Sequence, residues 1–355
     1  MSRMGNLQKK LLDHNMPALL VLEPVNYYYL TGFTGSSGFL VVTPSKAILL
    51  TDFRYEEQAQ NQVHKDVIVQ KHDFPMYKTL QLTLDKLEIC DLFFEKHYLT
   101  YEGYEYYREN LEGINLLPSY DLVAEMRTIK EESEIEALKK AVKIADEAFI
   151  HIINYITADV TEKELALELE YFMKRKGAEK LPFDIIIASG ERSALPHGVA
   201  SNKKLKKGDF VKMDFGACAQ GYCSDMTRTV VLGSADRKQK QVYELVLKSQ
   251  LNALRNITAG IPAWKADSYA REIIKSENLG PNFGHGLGHG VGMKVHELPR
   301  LSPRHDQILK AGMTTTIEPG VYIPGWGGVR IEDIVVIHDN GVEVLTQSTK
   351  DLIEI

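Results

Sequence analysis

Acidic residues set inside apolar, strand-like runs are the feature that most constrains how this chain can fold. Asp214, Glu318 and Glu332 each lie in a run that favours a strand. A buried carboxylate without a partner is costly, so each of them needs a cation or a donor nearby. Asp225 follows Asp214 by eleven positions, and Gly221 lies between them. That spacing favours a hairpin that brings both carboxylates together.

Alternating glycines surround two histidines, His285 and His289, and His296 follows shortly after. These glycines predict close backbone approach or positive φ, which ordinary core packing does not require. The run is not a phosphate-binding loop, because neither GxGxxG nor GxxxxGK[ST] occurs in it. A histidine in such a run, beside acidic strands, is a better metal-ligand candidate than an isolated one.

Four carboxylates and one imidazole form the candidate ligand set. An isolated aspartate is more often a cap or turn residue, so the argument depends on the whole set. Its oxygen-rich composition favours Mn²⁺ or Co²⁺ over a thiolate-type zinc site. Four carboxylates also balance two divalent cations, as in two-metal hydrolases with ions ~3.5–4 Å apart. The set consists of Asp214, Asp225, His289, Glu318 and Glu332.

In this order the five residues resemble the metal ligands of the pita-bread metallopeptidases, which include methionine aminopeptidase, aminopeptidase P and prolidase. Other segments are similar to the Xaa-Pro branch in particular, and the similarity spans nearly the whole chain. One departure is Ala200, where proline is common after the Pro-His-Gly motif. The similar segments are 189–198, the spacing of His285, His289 and His296, 329–333, 26–35 and 51–57.

The resemblance implies a dinuclear exopeptidase that hydrolyses the Xaa-Pro bond at the N-terminus of peptides. Asp214 would bind one ion, and His289 with Glu318 would bind the other. Asp225 and Glu332 would bridge the two ions. A hydroxide between the ions would attack the scissile carbonyl. Glu318 would act as base and then as acid toward the proline nitrogen.

Other side chains would bind the substrate. The resemblance implies that His197 and His296 steady the substrate and the oxyanion. His285 would shape the proline pocket, and Arg330 would orient the carboxylates. The cofactors would be two divalent ions, Mn²⁺ or Co²⁺ with Zn²⁺ as a further option, and the substrates would be peptides with proline at the second position.

Substrate length is left open by the sequence. A prolidase accepts only Xaa-Pro dipeptides and must pair the proline carboxylate with a cation. Arg300, four residues after His296, is a candidate because a guanidinium binds a carboxylate bidentately. An exposed loop arginine is an equally good interpretation. An aminopeptidase P leaves this end of the cleft open to longer peptides, and we favour that enzyme.

Length and periodicity predict two domains, 1–124 and 125–355. The first is a smaller α/β domain and the second is α+β; by resemblance they are a creatinase-like domain and a pita-bread catalytic domain. Capping boxes at Thr128–Glu131 and Thr161–Glu164 predict two helix starts. Further predicted helices are 101–110, 237–256 and 264–278, and predicted strands are 18–22, 38–42, 47–51, 183–188, 210–215, 227–231, 314–317 and 331–338.

Composition limits the partners and the compartment. A net charge of −6 argues against nucleic acid or an anionic membrane as the main partner. No apolar run approaches the ~18 residues of a membrane span. Cys90, Cys218 and Cys223 form no CxxC, and the last two are interpreted as small buried hydrophobes. A cytoplasmic location is expected, and the resemblance suggests a homodimer whose N-terminal domain helps to close the partner's active site.

Two alternatives share the fold: a pita-bread module that binds peptide, protein or nucleic acid without catalysis, and a creatinase-like hydrolase that works without metal. Retention of all five ligand positions argues against both. A serine or cysteine nucleophile is weaker, because no GxSxG elbow exists and neither Cys218 nor Cys223 has a histidine close in sequence.

Overall fold

The computed structural model describes residues 2–355 and divides into two domains. The first ends at Arg127, and the second runs from Thr128 to Ile355. Within the described residues, none of the helices combines the length and apolar character needed to cross a lipid bilayer.

The first domain is built on a six-stranded mixed sheet with strand order β4-β3-β2-β1-β5-β6. Strands β1, β2 and β3 pair antiparallel, and the other pairs are parallel. The strands are β1 (Leu19–Val21), β2 (Phe39–Val42), β3 (Ala47–Thr51), β4 (Val67–Lys71), β5 (Asp91–Glu95) and β6 (Asn115–Ser119). The helices are α1 (Arg3–Asp13), α2 (Pro24–Thr31), α3 (Glu56–Gln62), α4 (Met76–Lys86), α5 (Tyr101–Asn110) and α6 (Leu122–Arg127).

The second domain combines four long helices with antiparallel sheets. Three strands pair in the order β11-β8-β7 and five in the order β13-β12-β14-β17-β18. The helices are α7 (Glu132–Ile152), α8 (Glu162–Arg175), α9 (Arg237–Asn256) and α10 (Ala263–Ser276). The strands are β7 (Ile186–Ser189), β8 (Phe210–Phe215), β9 (Cys218–Ala219), β10 (Tyr222–Cys223), β11 (Met226–Val231), β12 (Gly288–Gly290), β13 (Glu297–Leu301), β14 (Thr314–Ile317), β15 (Gly320–Ile323), β16 (Gly327–Arg330), β17 (Asp333–His338) and β18 (Gly341–Val344).

Two apolar cores divide the second domain into similar halves. In one half α7 and α8 pack on the three-stranded sheet, with Phe149 and Leu169 in a core that also contains Val211. In the other half α9 and α10 pack on the five-stranded sheet, where Val246 and Ile274 share a core with its strands. Each helix pair therefore buries an apolar stripe against one sheet, as amphipathic periodicity requires.

Capping explains where the first two helices of this domain begin. The predicted box at Thr161 and Glu164 is confirmed: each side chain accepts from the backbone of the other residue, and α8 follows. The box predicted at Thr128 is wrong by three positions, because Glu131 caps α7 and Glu134 completes the box. The preceding segment is extended instead, since Lys130 N donates to the carbonyl oxygen of Gly312 at 2.8 Å.

The hairpin predicted between Asp214 and Asp225 is present. Strands β8 and β11 pair antiparallel, and the chain between them forms the small hairpin of β9 and β10. Gln220 and Gly221 both have positive φ at its tip, the conformation that a two-residue hairpin turn requires. Cys218 and Cys223 face each other across this hairpin and form a disulfide. Their predicted burial is confirmed, but they are joined by a disulfide and do not act only as small hydrophobes.

His97 pairs with two carboxylates in the first domain. Its Nε2 lies 3.2 Å from Oε2 of Glu23 and 3.3 Å from Oδ2 of Asp121. The hydrogen bond to Glu23, aided by the charge of Asp121, raises the pKa of His97 above its ordinary value. A raised histidine pKa stabilises the fold below the unfolded-state pKa, and this contribution disappears as pH rises through the folded-state pKa.

We therefore expect His97→Gln to lower the free energy of unfolding most below about pH 6.5, the ordinary histidine pKa. The difference from the wild-type protein should shrink as pH rises further. Urea unfolding of both proteins between about pH 5 and about pH 9 measures it. A difference that is constant over this range, or that grows with pH, would contradict the ion-pair assignment.

Candidate metal centre

The five predicted ligands come from both halves of the second domain and meet in one place. Asp214 lies on β8 and Asp225 immediately precedes β11, whereas His289 lies on β12. Glu318 follows β14, and Glu332 precedes β17. We call these five residues the candidate centre. Each ligand therefore sits on a strand or at a strand end, where the sheet fixes its backbone.

Three members of the candidate centre form a group that can hold an ion. Asp225, His289 and Glu332 each offer one ligand atom, and these atoms lie within 4.8 Å of one another. Nε2 of His289 is also 3.3 Å from Oε1 of Glu318, which adds a fourth donor. The distances suit carboxylate and imidazole donors that share divalent cations.

Asp214 is the fifth member of the set, and the hydrogen bonding of its carboxylate indicates whether a cation fits the site. One carboxylate oxygen accepts a hydrogen bond from Nη2 of Arg330, whereas the other, Oδ1, is buried and has no hydrogen-bond partner. A buried oxygen without a partner is costly unless something positive reaches it. The charge of Asp214 acts on both Asp225 and Glu332, so this oxygen belongs to the same acidic cluster, and the donor set fits a bound divalent ion.

Burial, with mutual repulsion added to it, raises the pKa values of the carboxylates. Burial first, and then the charge of Glu332, raises the pKa of Asp225 well above its ordinary value. Burial followed by the charge of Glu318 does the same for Glu332. Burial likewise raises the pKa of Glu318 and lowers that of His289. Divalent cations would remove this repulsion and keep all the donors deprotonated.

Two threonine hydroxyl groups orient the carboxylates, and the sequence analysis did not identify them. Thr227 Oγ1 donates to Oε2 of Glu332 at 2.6 Å, and Thr316 Oγ1 lies 3.0 Å from Oε1 of Glu318. Thr316 also accepts from the backbone N–H of His289 at 3.0 Å. Threonine is common in strands, so nothing in the sequence distinguishes these two.

The glycine run allows His289 to lie in a crowded sheet. A Cβ at Gly288 would lie 2.0 Å from the carbonyl oxygen of Thr316, and one at Gly290 would lie 2.0 Å from that of Leu298. Only glycine allows backbones to approach so closely. The sequence predicted either close backbone approach or positive φ for these glycines, and close approach is the reason that applies to Gly288 and Gly290.

His285 and Arg330 meet at Tyr322, an aromatic residue that the sequence analysis missed. Nε2 of His285 is 2.9 Å from the Tyr322 hydroxyl group, and Nη1 of Arg330 donates to the same oxygen at 2.9 Å. Burial raises the pKa of Tyr322 to about 12. Nε of Arg330 also donates to Thr227 at 2.8 Å, so the guanidinium connects the centre with the His285 pocket.

The remaining predicted site residues lie at the exposed side of the centre. The rings of His296 and His289 are 4.4 Å apart between centroids. Burial, and then the charge of His289, lowers the pKa of His296, with smaller contributions from Arg300 and His197. Arg300 is the register partner of His289 in the adjacent strand. His296 therefore lies beside His289, and Arg300 and His197 are near enough to influence the pKa of His296.

A sheet-borne cluster of buried carboxylates and one imidazole is the kind of site that holds divalent ions in metal-dependent hydrolases. Residues 136–339 match metallopeptidase family M24, and residues 3–129 match the creatinase/prolidase N-terminal domain. The chain belongs to metallopeptidase family M24. The predicted resemblance and the predicted fold, a pita-bread α+β domain with a smaller creatinase-like α/β domain, are confirmed.

Similar proteins match over nearly their whole length. A Xaa-Pro dipeptidase from Pyrococcus furiosus is 41% identical over 352 residues, which cover 99% of this chain and 99% of the relative. A solved Xaa-Pro dipeptidase from Bacillus anthracis is 42% identical with a TM-score of 0.97, covering 99% of both chains. A solved X-Pro aminopeptidase from Thermotoga maritima is 36% identical with a TM-score of 0.92, covering 98% of this chain and all of that one.

We expect Asp225→Asn to abolish metal binding while leaving the metal-free protein at least as stable as the wild type. The substitution removes one buried negative charge from a repulsive cluster, which is worth about 1 kcal/mol or more. Added Mn²⁺ should raise the Tm of the wild-type protein but not that of the variant. Calorimetry with and without a chelator, combined with metal analysis, measures both effects.

The exposed Asp306→Asn variant is the matched control and should behave like the wild type in both measurements. Full metal content in Asp225→Asn would show that Asp225 is not a ligand. A large loss of stability in metal-free Asp225→Asn would show that the carboxylates do not repel one another as their positions indicate.

Proposed function

We propose that this chain is a dinuclear metal-dependent exopeptidase that hydrolyses the Xaa-Pro bond at the N-terminus of peptides. The observation that carries the proposal is the convergence of Asp225, His289 and Glu332 within 4.8 Å beside the orphaned oxygen of Asp214. The Xaa-Pro peptidases among its relatives support the choice of substrate. A non-catalytic binding module would have no need of this buried and mutually repulsive set.

The residues divide into ligands and proton carriers. Asp214 would hold one ion, His289 and Glu318 the other, and Asp225 with Glu332 both. When bound, the two ions supply Lewis acidity and a water activated for attack. Glu318 would take up a proton as the attacking water is deprotonated and would deliver it to the proline nitrogen, which must be protonated to leave as an amine. Its raised pKa suits a group that must hold a proton for part of the cycle.

The exposed side chains bind the substrate around the scissile bond. His296 and His197 lie on the open side of the centre, where they donate to the carbonyl oxygen as negative charge develops on it. His285 lies against the buried Phe283, with ring centroids 5.1 Å apart, and this contact supports its proposed role in shaping the pocket for the proline ring. Arg330 orients Asp214 and holds Tyr322 in place.

Substrate length depends on Arg300. It is the register partner of His289 on β13, which supports a role for its guanidinium in binding the carboxylate of a dipeptide. The dipeptidase names of relatives above 40% identity favour this role over the open cleft of an aminopeptidase. We therefore propose that the dipeptide is the preferred substrate, in contrast to the sequence-based preference for longer peptides.

We further propose Mn²⁺ or Co²⁺ as the bound ions, since oxygen donors dominate the set. We also propose that the protein is a homodimer and that it is located in the cytoplasm. The acidic net charge of −6 supports solubility without a nucleic-acid partner.

The substrate proposal is tested by loading the protein with Mn²⁺, Co²⁺ or Zn²⁺ and offering a Xaa-Pro dipeptide, a Xaa-Pro-Xaa tripeptide and a Xaa-Ala dipeptide. We expect cleavage of the Xaa-Pro dipeptide and no cleavage of Xaa-Ala. Arg300→Met should raise KM for the dipeptide about tenfold or more through loss of the carboxylate pair. The tripeptide should be affected less, because its carboxylate lies elsewhere.

Equal cleavage of dipeptide and tripeptide, with no effect of Arg300→Met, would identify an open-cleft aminopeptidase instead. Binding of metal without cleavage of any peptide would favour the non-catalytic binding module. Cleavage that persists after exhaustive chelation would favour the creatinase-like, metal-free mechanism.

Ligand and substrate-binding roles are separated by two alanine variants. Glu332→Ala should lose metal and activity together, because its carboxylate is shared by both ions. His296→Ala should keep its metal content and lose kcat by about a hundredfold, as expected for an oxyanion donor. Metal analysis and steady-state kinetics on the same preparations compare the two variants. Loss of metal in His296→Ala, or turnover in Glu332→Ala, would reverse the assignments.

A further inference from the structure

Lys212 is a buried lysine that the proposed chemistry does not use. It lies on β8 between Val211 and Met213, and its relative exposure is 0%. Its Nζ donates to the carbonyl oxygens of Leu195 and Pro196. Within residues 2–355 it forms no ion pair with a carboxylate. A buried ammonium group without a counterion is costly, so its contacts with these carbonyl groups need an explanation.

The two carbonyl groups belong to the loop that carries His197. We call residues 190–201 the His197 loop. At its centre the Gly198 N–H donates to the Leu195 carbonyl oxygen at 3.2 Å, which closes a turn around His197. Lys212 therefore binds the same turn from the side of the sheet. Alternation along a strand places Lys212 and Asp214 on one face, so this side is the one that carries the candidate centre.

His197 depends on its backbone for its position. It is exposed, and within the described part of the chain its imidazole makes no hydrogen bond of its own. The ends of the loop are held by the buried Glu162, whose carboxylate accepts from Ser189 N at 2.8 Å and Ser201 N at 3.0 Å. The centre of the loop is held by side chains from the sheet, through Lys212 and through Nη1 of Arg330 on Pro196.

We propose that Lys212 is a positioning residue that holds His197 over the bound substrate through the backbone of residues 195 and 196. The proposal rests on the proposed function, in which His197 steadies the substrate. Arg330 contacts one of the two carbonyl groups and also binds Asp214, so it connects the loop to the centre. Lys212 contacts both carbonyl groups and none of the five ligands. Its removal should therefore disturb His197 without removing metal.

Lys212→Met tests this role, because methionine fills a similar volume and cannot donate. We expect unchanged metal content and a kcat/KM for the Xaa-Pro dipeptide about tenfold to a hundredfold lower, as for a displaced binding group. His197→Ala should cause a similar loss. The double variant should be no worse than His197→Ala alone, because both substitutions remove one function. The exposed Lys240→Met variant should match the wild type.

Amide hydrogen exchange gives a readout that does not require activity. Peptides covering residues 194–200 should exchange about tenfold faster in Lys212→Met, while peptides from α9 and α10 stay unchanged. If Lys212→Met fails to fold, Lys212→Gln is measured in the same way, since its amide keeps a donor on a shorter stem. Inactivity of the wild-type protein would refute the proposed function, and exchange would still decide whether Lys212 anchors the loop.

Three results would overturn the inference. Lys212→Met with normal kinetics and normal exchange would show that the contacts do not position the loop. If the loss of kcat/KM in the double variant equals the product of the two single losses, Lys212 acts through a residue other than His197. Loss of metal in Lys212→Met would assign the lysine to the candidate centre rather than to the loop.

Discussion

Repulsion among buried carboxylates is the interaction on which the rest of the second domain depends. Asp225 and Glu332 are 6% and 1% exposed. Beyond the effect of burial, the charge of Glu332 raises the pKa of Asp225, and the charges of Glu318 and Asp214 raise the pKa of Glu332. Charges in such a place need compensation within a few ångströms. The chain supplies one fixed cation, the Arg330 guanidinium at Asp214, and a hydroxyl donor at Thr227. One guanidinium leaves most of the negative charge unbalanced, and this surplus is what makes the site attractive to divalent cations.

A buried ion pair between Arg228 and Asp333 supports the backbone next to the ligands. Glu332 immediately precedes β17 and Asp333 is its first residue, so extended backbone there directs the two side chains to opposite sides. Asp333 accepts from Nη2 of Arg228 at 2.7 Å and from Nε2 of Gln250 at 2.7 Å. Nη1 of Arg228 also donates to the backbone carbonyl oxygen of Thr227 at 3.0 Å. Thr227 and Glu332, which face the centre, are therefore each adjacent in sequence to a member of the Arg228–Asp333 ion pair. Asp333 is acidic because it binds Arg228, whereas Glu332 is acidic because it belongs to the candidate centre.

The sequence was most informative where chemistry and local spacing coincide. Asp214 and Asp225 could be paired because a charge in an apolar strand and a glycine at the turn are both visible in the sequence. The start of α7 was misplaced because Lys130 is held by Gly312, a partner 182 positions away. Tyr322 was missed for the same reason, since its hydroxyl group contacts His285, a residue 37 positions away. Partners distant in sequence leave no local signal, and only the folded chain shows them.

The predicted site residues differ in how firmly the fold holds them. The ligands are carried by paired strands and held by buried donors, whereas His197, His296 and Arg300 are exposed and lie on loops or at a sheet edge. Loops tolerate change that strands do not, because few buried contacts depend on them. Solved relatives named as a dipeptidase and as an aminopeptidase have nearly the same fold as this chain, with TM-scores of 0.97 and 0.92. The two names therefore differ without a matching difference in fold, and the exposed side chains are the part of this site that can vary without disturbing the strands that carry the ligands.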